Sequence, residues 1–308
     1  MRIKNPTILN AGGSIRCPIF LLGLLLCICV ARANGQDTRC AFDVATFTFA
    51  GSAQEQARCL LRPVKKFAHL GPQARSLPEP LDSLVGQRID IDRAKFTSFL
   101  TANRIKEADV GGALSEPLSS ADANNVAAGR ARYFMIHDTS SPNFLNEAFP
   151  TNINDPAAPL NRLDRFRTVA REKVAHVFIN RGGESATAVD FKSPLAAGRF
   201  GTKFAARTLK ERRKGLLLHV ELIQPRRRDP SGGRLNDALA PDPGFTEAQL
   251  DRLAIVYVAA SIRRGEWMIP AFHAVMDITI PDGHDDPQRF DLDLWAARLK
   301  LLLDQLQR

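Results

Sequence analysis

Residues 269–290 combine side chains that could bind a divalent metal ion. A short apolar run ends at His273, and after a loop with proline and glycine the chain reaches His284, Asp285 and Asp286. Imidazole and carboxylate groups are common zinc ligands, and a strand end and a loop can supply them together. Aspartate and histidine are also frequent in surface turns. A metal site here therefore requires a further ligand from another part of the chain.

Two other apolar stretches carry polar side chains that packing does not explain. His137 follows the run RYFMI at residues 132–136, and Glu221 lies inside the run LLLHVELI at residues 216–223. Alternation with a period of two places His219 and Glu221 on the same face of that predicted strand. A carboxylate among strand hydrophobes is unfavourable unless it is paired or functional. We predict a functional role for Glu221, with an ion pair to one of the many arginines as the alternative.

Five short motifs follow one another along the chain: YFMIHDT at residues 133–139, AHVFINRGG at 175–183, HVEL at 219–222, FH at 272–273 and DP at 286–287. In this order they resemble the zinc-dependent N-acetylmuramoyl-L-alanine amidases. That superfamily also includes the phage amidase lysozymes and the animal peptidoglycan recognition proteins. The resemblance covers roughly residues 130–300 and does not extend to residues 34–120.

The resemblance implies a role for each of five residues. His137, His273 and Asp286 match the three metal ligands of that family, and the implied cofactor is Zn²⁺. Glu221 matches the catalytic glutamate. His284 stands where many members have lysine, so it is the second predicted catalytic residue. A histidine can donate a hydrogen bond to an oxyanion only in the right protonation or tautomeric state.

The implied reaction is hydrolysis of the amide between the lactyl group of the peptidoglycan glycan and the stem peptide. Three protein ligands with a fourth position open are typical of catalytic zinc, with water as the nucleophile and Glu221 as general base. Gln288 stands where a glycine commonly follows the proline, a second departure from the family pattern. The implied partner is peptidoglycan or a muropeptide. The alternatives are a non-catalytic peptidoglycan-binding protein on the same fold, and a zinc peptidase with another amide substrate.

Four further polar residues near the predicted site have more than one interpretation. His176 lies inside a predicted strand, where packing or support of a ligand is favoured over ligation. His219 either forms a hydrogen bond within the site or lines the cleft. Asp138 either orients a neighbour or caps the strand end, and Asp285 is interpreted as a turn residue beside the ligand.

Residues 1–33 predict a Sec-type signal peptide. A basic start precedes an apolar run of thirteen residues, 18–30, and the sequence Ala-Arg-Ala follows at positions 31–33. This is the pattern of a secretory signal with a small-residue cleavage site. The run is shorter than the ~20 residues that a membrane helix needs. We predict cleavage after Ala33, a periplasmic or secreted protein, and no stable membrane span after signal removal.

The composition limits the class of protein and its partners. The chain has 308 residues, of which 44% are hydrophobic and 24% charged, which indicates a folded core. Beyond residue 33 only Cys40 and Cys59 remain, and two cysteines in an exported chain predict a disulfide. Removal of residues 1–33 takes away four basic and no acidic residues and lowers the net charge from +9 to +5. This modest positive charge favours a polyanionic partner such as a cell wall or membrane surface. Two tyrosines and two tryptophans provide no aromatic platform for nucleic acid, and the oligomeric state is left open.

Strand and helix patterns alternate in residues 126–308 and predict an α/β domain with a central mixed β-sheet flanked by helices. We assign this range to the zinc amidase catalytic domain. Residues 34–125 are predicted to form a smaller, mostly helical accessory region that covers, braces or docks onto it. Helix starts are predicted where capping boxes begin at Ser52 and Thr246. Residues 226–243, which open with three consecutive arginines, are predicted to be a solvated loop.

Overall fold

A computed structural model describes residues 40–65, 69–145, 147–168, 174–195, 204, 208–209, 215–229, 231, 238–278 and 284–308. The predicted signal peptide, residues 1–33, lies outside these ranges, and its cleavage stays a prediction. The described residues belong to one compact unit, Asp37–Arg308. Within these ranges, no helix combines the length and the apolar character that crossing a membrane requires.

Short strands and helices of varied length make up the described part of the chain. The strands are β1 Phe42–Asp43, β2 Thr48–Phe49, β3 Tyr133–Asp138, β4 Asn143–Phe144, β5 Val177–Ile179, β6 Ser185–Thr187, β7 Leu217–Leu222, β8 Arg226–Arg228, β9 Ala238–Leu239 and β10 Ile269–Phe272. The helices are α1 Ala53–Leu60, α2 Leu81–Leu84, α3 Arg93–Ala102, α4 Asp164–Thr168, α5 Glu247–Arg264, α6 His273–Met276 and α7 Leu292–Gln307.

The main sheet has five strands in the order β10-β3-β7-β5-β6. Its first four strands are parallel, and β6 runs antiparallel to β5. Every residue of the central strands β3 and β7 is buried, as expected for parallel strands covered on both faces. The predicted α/β class and the mixed sheet are confirmed. The described residues also form two smaller sheets, β1-β2 and β4-β8-β9.

Helices cover both faces of the main sheet. Tyr133 and Phe134 are consecutive in β3, so their side chains project to opposite faces. The Tyr133 hydroxyl donates a hydrogen bond to Gln56 Oε1 of α1 at 2.8 Å. The Phe134 ring packs edge-on against Tyr257 of α5, with centroids 5.2 Å apart, and α7 packs on α5. His137 shares the face of Tyr133, so α1 from the predicted accessory region covers the face that carries the candidate site.

The helix starts agree with the capping boxes in the sequence. Ser52 and Thr246 each accept a hydrogen bond from the backbone three residues later, and the reciprocal side-chain bonds are present. Gly265, with φ of 82°, ends α5 in the left-handed conformation that glycine adopts without a steric penalty. These local signals explain why the bounds of α1 and α5 follow closely from the sequence.

The predicted disulfide is confirmed between Cys40 and Cys59, which ties the chain before β1 to helix α1. The two cysteines are 19 positions apart in the sequence. Closing a loop of this size contributes about 3 kcal/mol to the free energy of unfolding in the chain-entropy model. The bond therefore fixes α1 against the hairpin β1-β2 on the site-bearing face.

The prediction of a solvated loop at residues 226–243 is wrong for the first three residues. Arg226–Arg228 forms β8, which pairs with β4 and β9, and Arg226 is only 1% exposed. The physical reason is a buried carboxylate, Asp138, that forms an ion pair with the Arg226 guanidinium. Burial of an arginine is tolerated when its charge is paired in this way.

Candidate metal centre

Strand register brings three of the predicted site residues to one edge of the sheet. His137 on β3 pairs with Glu221 on β7, and Ile136 pairs with Phe272 on β10. His273, the residue after Phe272, is therefore level with His137. Paired residues of neighbouring strands project to the same face. Strand β3 continues through His137 to Asp138 rather than ending before them, which corrects the predicted strand end.

The three predicted metal ligands converge on one point. The Nδ1 atoms of His137 and His273 are 2.9 Å apart, and His273 Nδ1 is 3.0 Å from Asp286 Oδ1. His137 Nδ1 is 3.6 Å from Asp286 Oδ2. All three side chains are buried, and one ligand atom from each lies within 4.8 Å of the others. Two imidazoles and a carboxylate in this arrangement could hold a metal ion.

A carboxylate behind His273 sets which ring nitrogen faces the site. Asp277 Oδ2 is 3.1 Å from His273 Nε2, and Asp277 Oδ1 accepts the Phe204 N–H at 2.9 Å. An Nε2–H donated to this carboxylate leaves the Nδ1 lone pair of His273 pointing at Asp286 and His137. Carboxylates commonly orient metal-binding histidines in this way. Sequence reasoning missed Asp277, although its position four residues after His273 was a signal that could have found it.

The loop that carries Asp286 is held by a second set of bonds. The Asp138 backbone N–H donates to Asp286 Oδ2 at 3.1 Å, and the Gln288 backbone N–H donates to Asp138 Oδ2 at 3.1 Å. Arg226 Nη2 donates to both carboxylate oxygens of Asp138, at 2.9 and 2.7 Å. Asp138 thus orients the loop, which is one of its two predicted roles. Arg226 was not identified from the sequence, because three consecutive arginines predict a solvent-exposed segment.

The adjacent carboxylate, Asp285, faces other partners. Its Oδ2 accepts a hydrogen bond from Gln288 Nε2, and its Oδ1 is 3.9 Å from Arg226 Nη2. Asp285 belongs to neither of the two His/Asp groups that could hold a metal ion in the described part of the chain. Asp285 and Asp286 therefore differ in their contacts even though they are neighbours in sequence.

Glu221 is a buried carboxyl group with an unsatisfied oxygen. The residue is 7% exposed, and within the described ranges Glu221 Oε2 has no hydrogen-bond partner. No described arginine forms an ion pair with it, so the alternative drawn from the sequence finds no support there. Burial raises the pKa of Glu221 well above its ordinary value, and the carboxylates of Asp286 and Asp138 raise it further. An unpaired acid of raised pKa beside a candidate metal centre is typical of a functional group.

A cavity of about 340 Å³ opens at this edge of the sheet. It is lined by Asp138, Thr139, Ser140, Ser141, Glu221, His273, His284, Asp285 and Asp286. His284 lies on its wall with a side chain that is 31% exposed, and its Nδ1 is 3.1 Å from His273 Nε2. His284 also joins His273 and Asp277 in a second group that could hold a cation. The predicted catalytic residues Glu221 and His284 thus share one cavity with His273 and Asp286.

The electrostatics of the site favour a positive charge between the histidines. Burial lowers the pKa of His137 well below its ordinary value, and the neighbouring histidines lower it further, so this ring is neutral. Burial alone would also lower the pKa of His273, but Asp286 and Asp277 outweigh it and raise that pKa well above normal. The carboxylates that would stabilise a proton on His273 would also stabilise a divalent cation at the same place.

The chain was compared with family models and with curated proteins, and neither comparison found a match. The assignment of function therefore depends on the sequence motifs and on the geometry of this centre.

Replacement of the buried Arg226 by an uncharged residue should destabilise the protein. We expect Arg226→Met to lower the free energy of unfolding by about 3–5 kcal/mol, because it leaves Asp138 buried without its partner. Chemical denaturation with urea measures this change. The control is Arg227→Met, an exposed arginine of the same strand whose guanidinium lies over the Phe149 ring, for which about 1 kcal/mol or less is expected. Equal stabilities of the two variants would show that the buried pair does not hold the loop.

Proposed function

We propose that this chain is an exported, zinc-dependent N-acetylmuramoyl-L-alanine amidase. It hydrolyses the amide between the lactyl group of the peptidoglycan glycan and the stem peptide. The observation that carries the proposal is the clustering of five residues that are far apart in the sequence. His137, His273 and Asp286 form a buried group that could hold a metal ion. His273 and Asp286 share one cavity with His284 and with Glu221, whose Oε2 has no hydrogen-bond partner among the described residues.

The donor set fits zinc. Two imidazoles and one carboxylate are a three-ligand set that leaves a further position for a small molecule, as catalytic zinc sites do. The same set also suits ferrous iron in oxygenases. Glu221 favours hydrolysis, because a hydrolase needs a proton acceptor beside the metal. A zinc ion held by these residues would lower the pKa of a water molecule and polarise the scissile carbonyl.

Glu221 and His284 have different roles in the proposed amide hydrolysis. The Glu221 carboxylate, which lines the cavity, takes a proton from the attacking water and passes it to the nitrogen of the leaving amine. Burial and the neighbouring carboxylates raise its pKa in the absence of a metal ion, and a bound cation would favour the ionised form that accepts the proton. His284 lies on the cavity wall, where a ring N–H can donate to the oxyanion that forms from the carbonyl.

Two features of the chain support a substrate outside the cytoplasm. The Cys40–Cys59 disulfide is typical of oxidising compartments, and the predicted signal peptide would direct the chain there. Peptidoglycan lies in the same compartment. The choice of this amide over others comes from the resemblance of the five motifs, with His284 and Gln288 as departures from the family pattern.

The decisive experiment combines metal analysis with product analysis. The purified protein should contain one zinc ion per chain, and digestion of purified sacculi should release stem peptides with a free amino-terminal alanine, identified by mass spectrometry. A chelator should abolish release, and added zinc should restore it. Iron in place of zinc would contradict the proposal. Cleavage inside the stem peptide would identify a zinc peptidase, and binding to sacculi without release would identify a peptidoglycan-binding protein.

A further inference from the structure

His219 lies directly behind His137, on the side away from the candidate metal centre. His219 Nδ1 is 2.9 Å from His137 Nε2, whereas His137 Nδ1 faces His273 and Asp286. His219 is 4% exposed and belongs to neither described metal-binding group. It is also not among the residues that line the cavity at Glu221. Direct ligation and contact with substrate are thus both disfavoured for this side chain.

The backbone of His219 is held on its other side by His176. The His219 N–H donates to His176 Nδ1 at 3.0 Å, and the His176 N–H donates to the His219 carbonyl oxygen at 3.0 Å. His176 Nδ1 must therefore be an acceptor, and the ring proton is on Nε2, which donates to the Ser193 carbonyl oxygen at 3.1 Å. Burial lowers the pKa of His176 to about 4, consistent with a neutral ring. These bonds consequently fix His219 relative to the residue that directly precedes β5.

The hydrogen bond between His137 and His219 also determines which ring nitrogens carry protons. If Nδ1 of His137 is to bind a cation, it must carry no proton, so the proton of this neutral ring is on Nε2. That N–H points at His219 Nδ1, which must accept it, and the proton of His219 is then on its own Nε2. The two predicted imidazole ligands thus have different supports. His273 donates to the carboxylate of Asp277, and His137 donates to a neutral imidazole.

We propose that His219 is a positioning residue for the metal centre: its Nδ1 accepts the Nε2 proton of His137 and holds His137 Nδ1 toward the cation. The inference rests on the proposed function only in requiring that a divalent cation binds at His137, His273 and Asp286. Residues that orient a metal ligand typically change metal affinity about 10–100-fold when replaced. His219 should therefore affect zinc affinity without contacting the ion.

The test compares two replacements of His219. In His219→Asn the amide oxygen can occupy the place of Nδ1 and accept the hydrogen bond, whereas His219→Leu has a similar size and no acceptor. Competition with a chromophoric chelator should show zinc binding weakened about 10–100-fold in the leucine variant and largely retained in the asparagine variant. Equal affinities of the two variants, whether both high or both low, would overturn the proposal. Circular dichroism establishes that each variant is folded.

A spectroscopic measurement tests the proton positions independently of any variant. In the zinc-loaded wild-type protein, ¹⁵N NMR of the imidazoles should show His137 protonated at Nε2 and His219 Nδ1 unprotonated and hydrogen-bonded. A protonated Nδ1 on His219 would overturn the proposal even if the leucine variant failed to fold. The two proposals can fail separately. Zinc binding with these signatures but no release from sacculi would reject only the amidase, and hydrolysis without them would reject only the role of His219.

Discussion

Replacement of Glu221 by glutamine should lower the rate of peptidoglycan hydrolysis about 10²–10⁴-fold, the range that a general base contributes. Glutamine has nearly the same shape, but its amide cannot accept the proton of the attacking water. Zinc content should stay at one ion per chain, because Glu221 belongs to neither group of described residues that could hold a metal ion. Release of stem peptides from sacculi and metal analysis on the same preparation measure both quantities.

The stability of the Glu221→Gln variant separates a catalytic role from a structural one. The Glu221 carboxyl is buried, its Oε2 has no partner in the described structure, and the Asp286 and Asp138 carboxylates disfavour its charge. A neutral amide removes that cost, so the metal-free variant should be at least as stable as wild type. The exposed Glu184→Gln is a control for the chemical change itself. A variant with full activity, or one that loses its activity by unfolding, would contradict the assignment of Glu221 as the base.

Local patterns were sufficient to predict much of the fold. Helices α5 and α7 and the strands that carry His137 and Glu221 could be predicted because capping residues and hydrophobic periodicity act over only a few residues. The convergence of the candidate ligands could also be predicted. The carboxyl ends of parallel strands meet at one edge of a sheet, and ligands bind outside such edges in α/β proteins.

The residues that hold the candidate ligands in position could not be predicted from local sequence patterns. Arg226 and Asp138 are 88 positions apart, and a run of three arginines has the same appearance whether it is solvated or buried. His219 was correctly placed on the face of Glu221, but its partner could not be identified. That partner depends on the register between β3 and β7, which is a tertiary property. The protonation pattern of the centre follows from these long-range contacts and so could not be predicted either.

Asp286→Asn should weaken zinc binding strongly. Loss of a residue that only orients a metal ligand weakens binding about 10–100-fold, and the loss of zinc affinity in Asp286→Asn should be larger than that. Asp286 is the only anionic member of its group with His137 and His273, and a neutral amide oxygen is a weaker ligand for a divalent cation. The amide oxygen can still accept the Asp138 N–H, so the loop should keep its position. Chelator competition gives the affinity, and hydrolysis of sacculi should be lost when zinc is limiting.

Asp285→Asn is the matched control, because it makes the same chemical change one residue earlier. The two variants have the same net charge, and any general effect of loop charge on zinc would be the same in both. Asp285 instead contacts Gln288 and lies near Arg226, so its replacement should leave zinc affinity close to that of wild type. A larger loss of zinc in Asp285→Asn than in Asp286→Asn would reverse the ligand assignment. Equal losses would mean that the charge of the loop, rather than a bond from Asp286, attracts the cation.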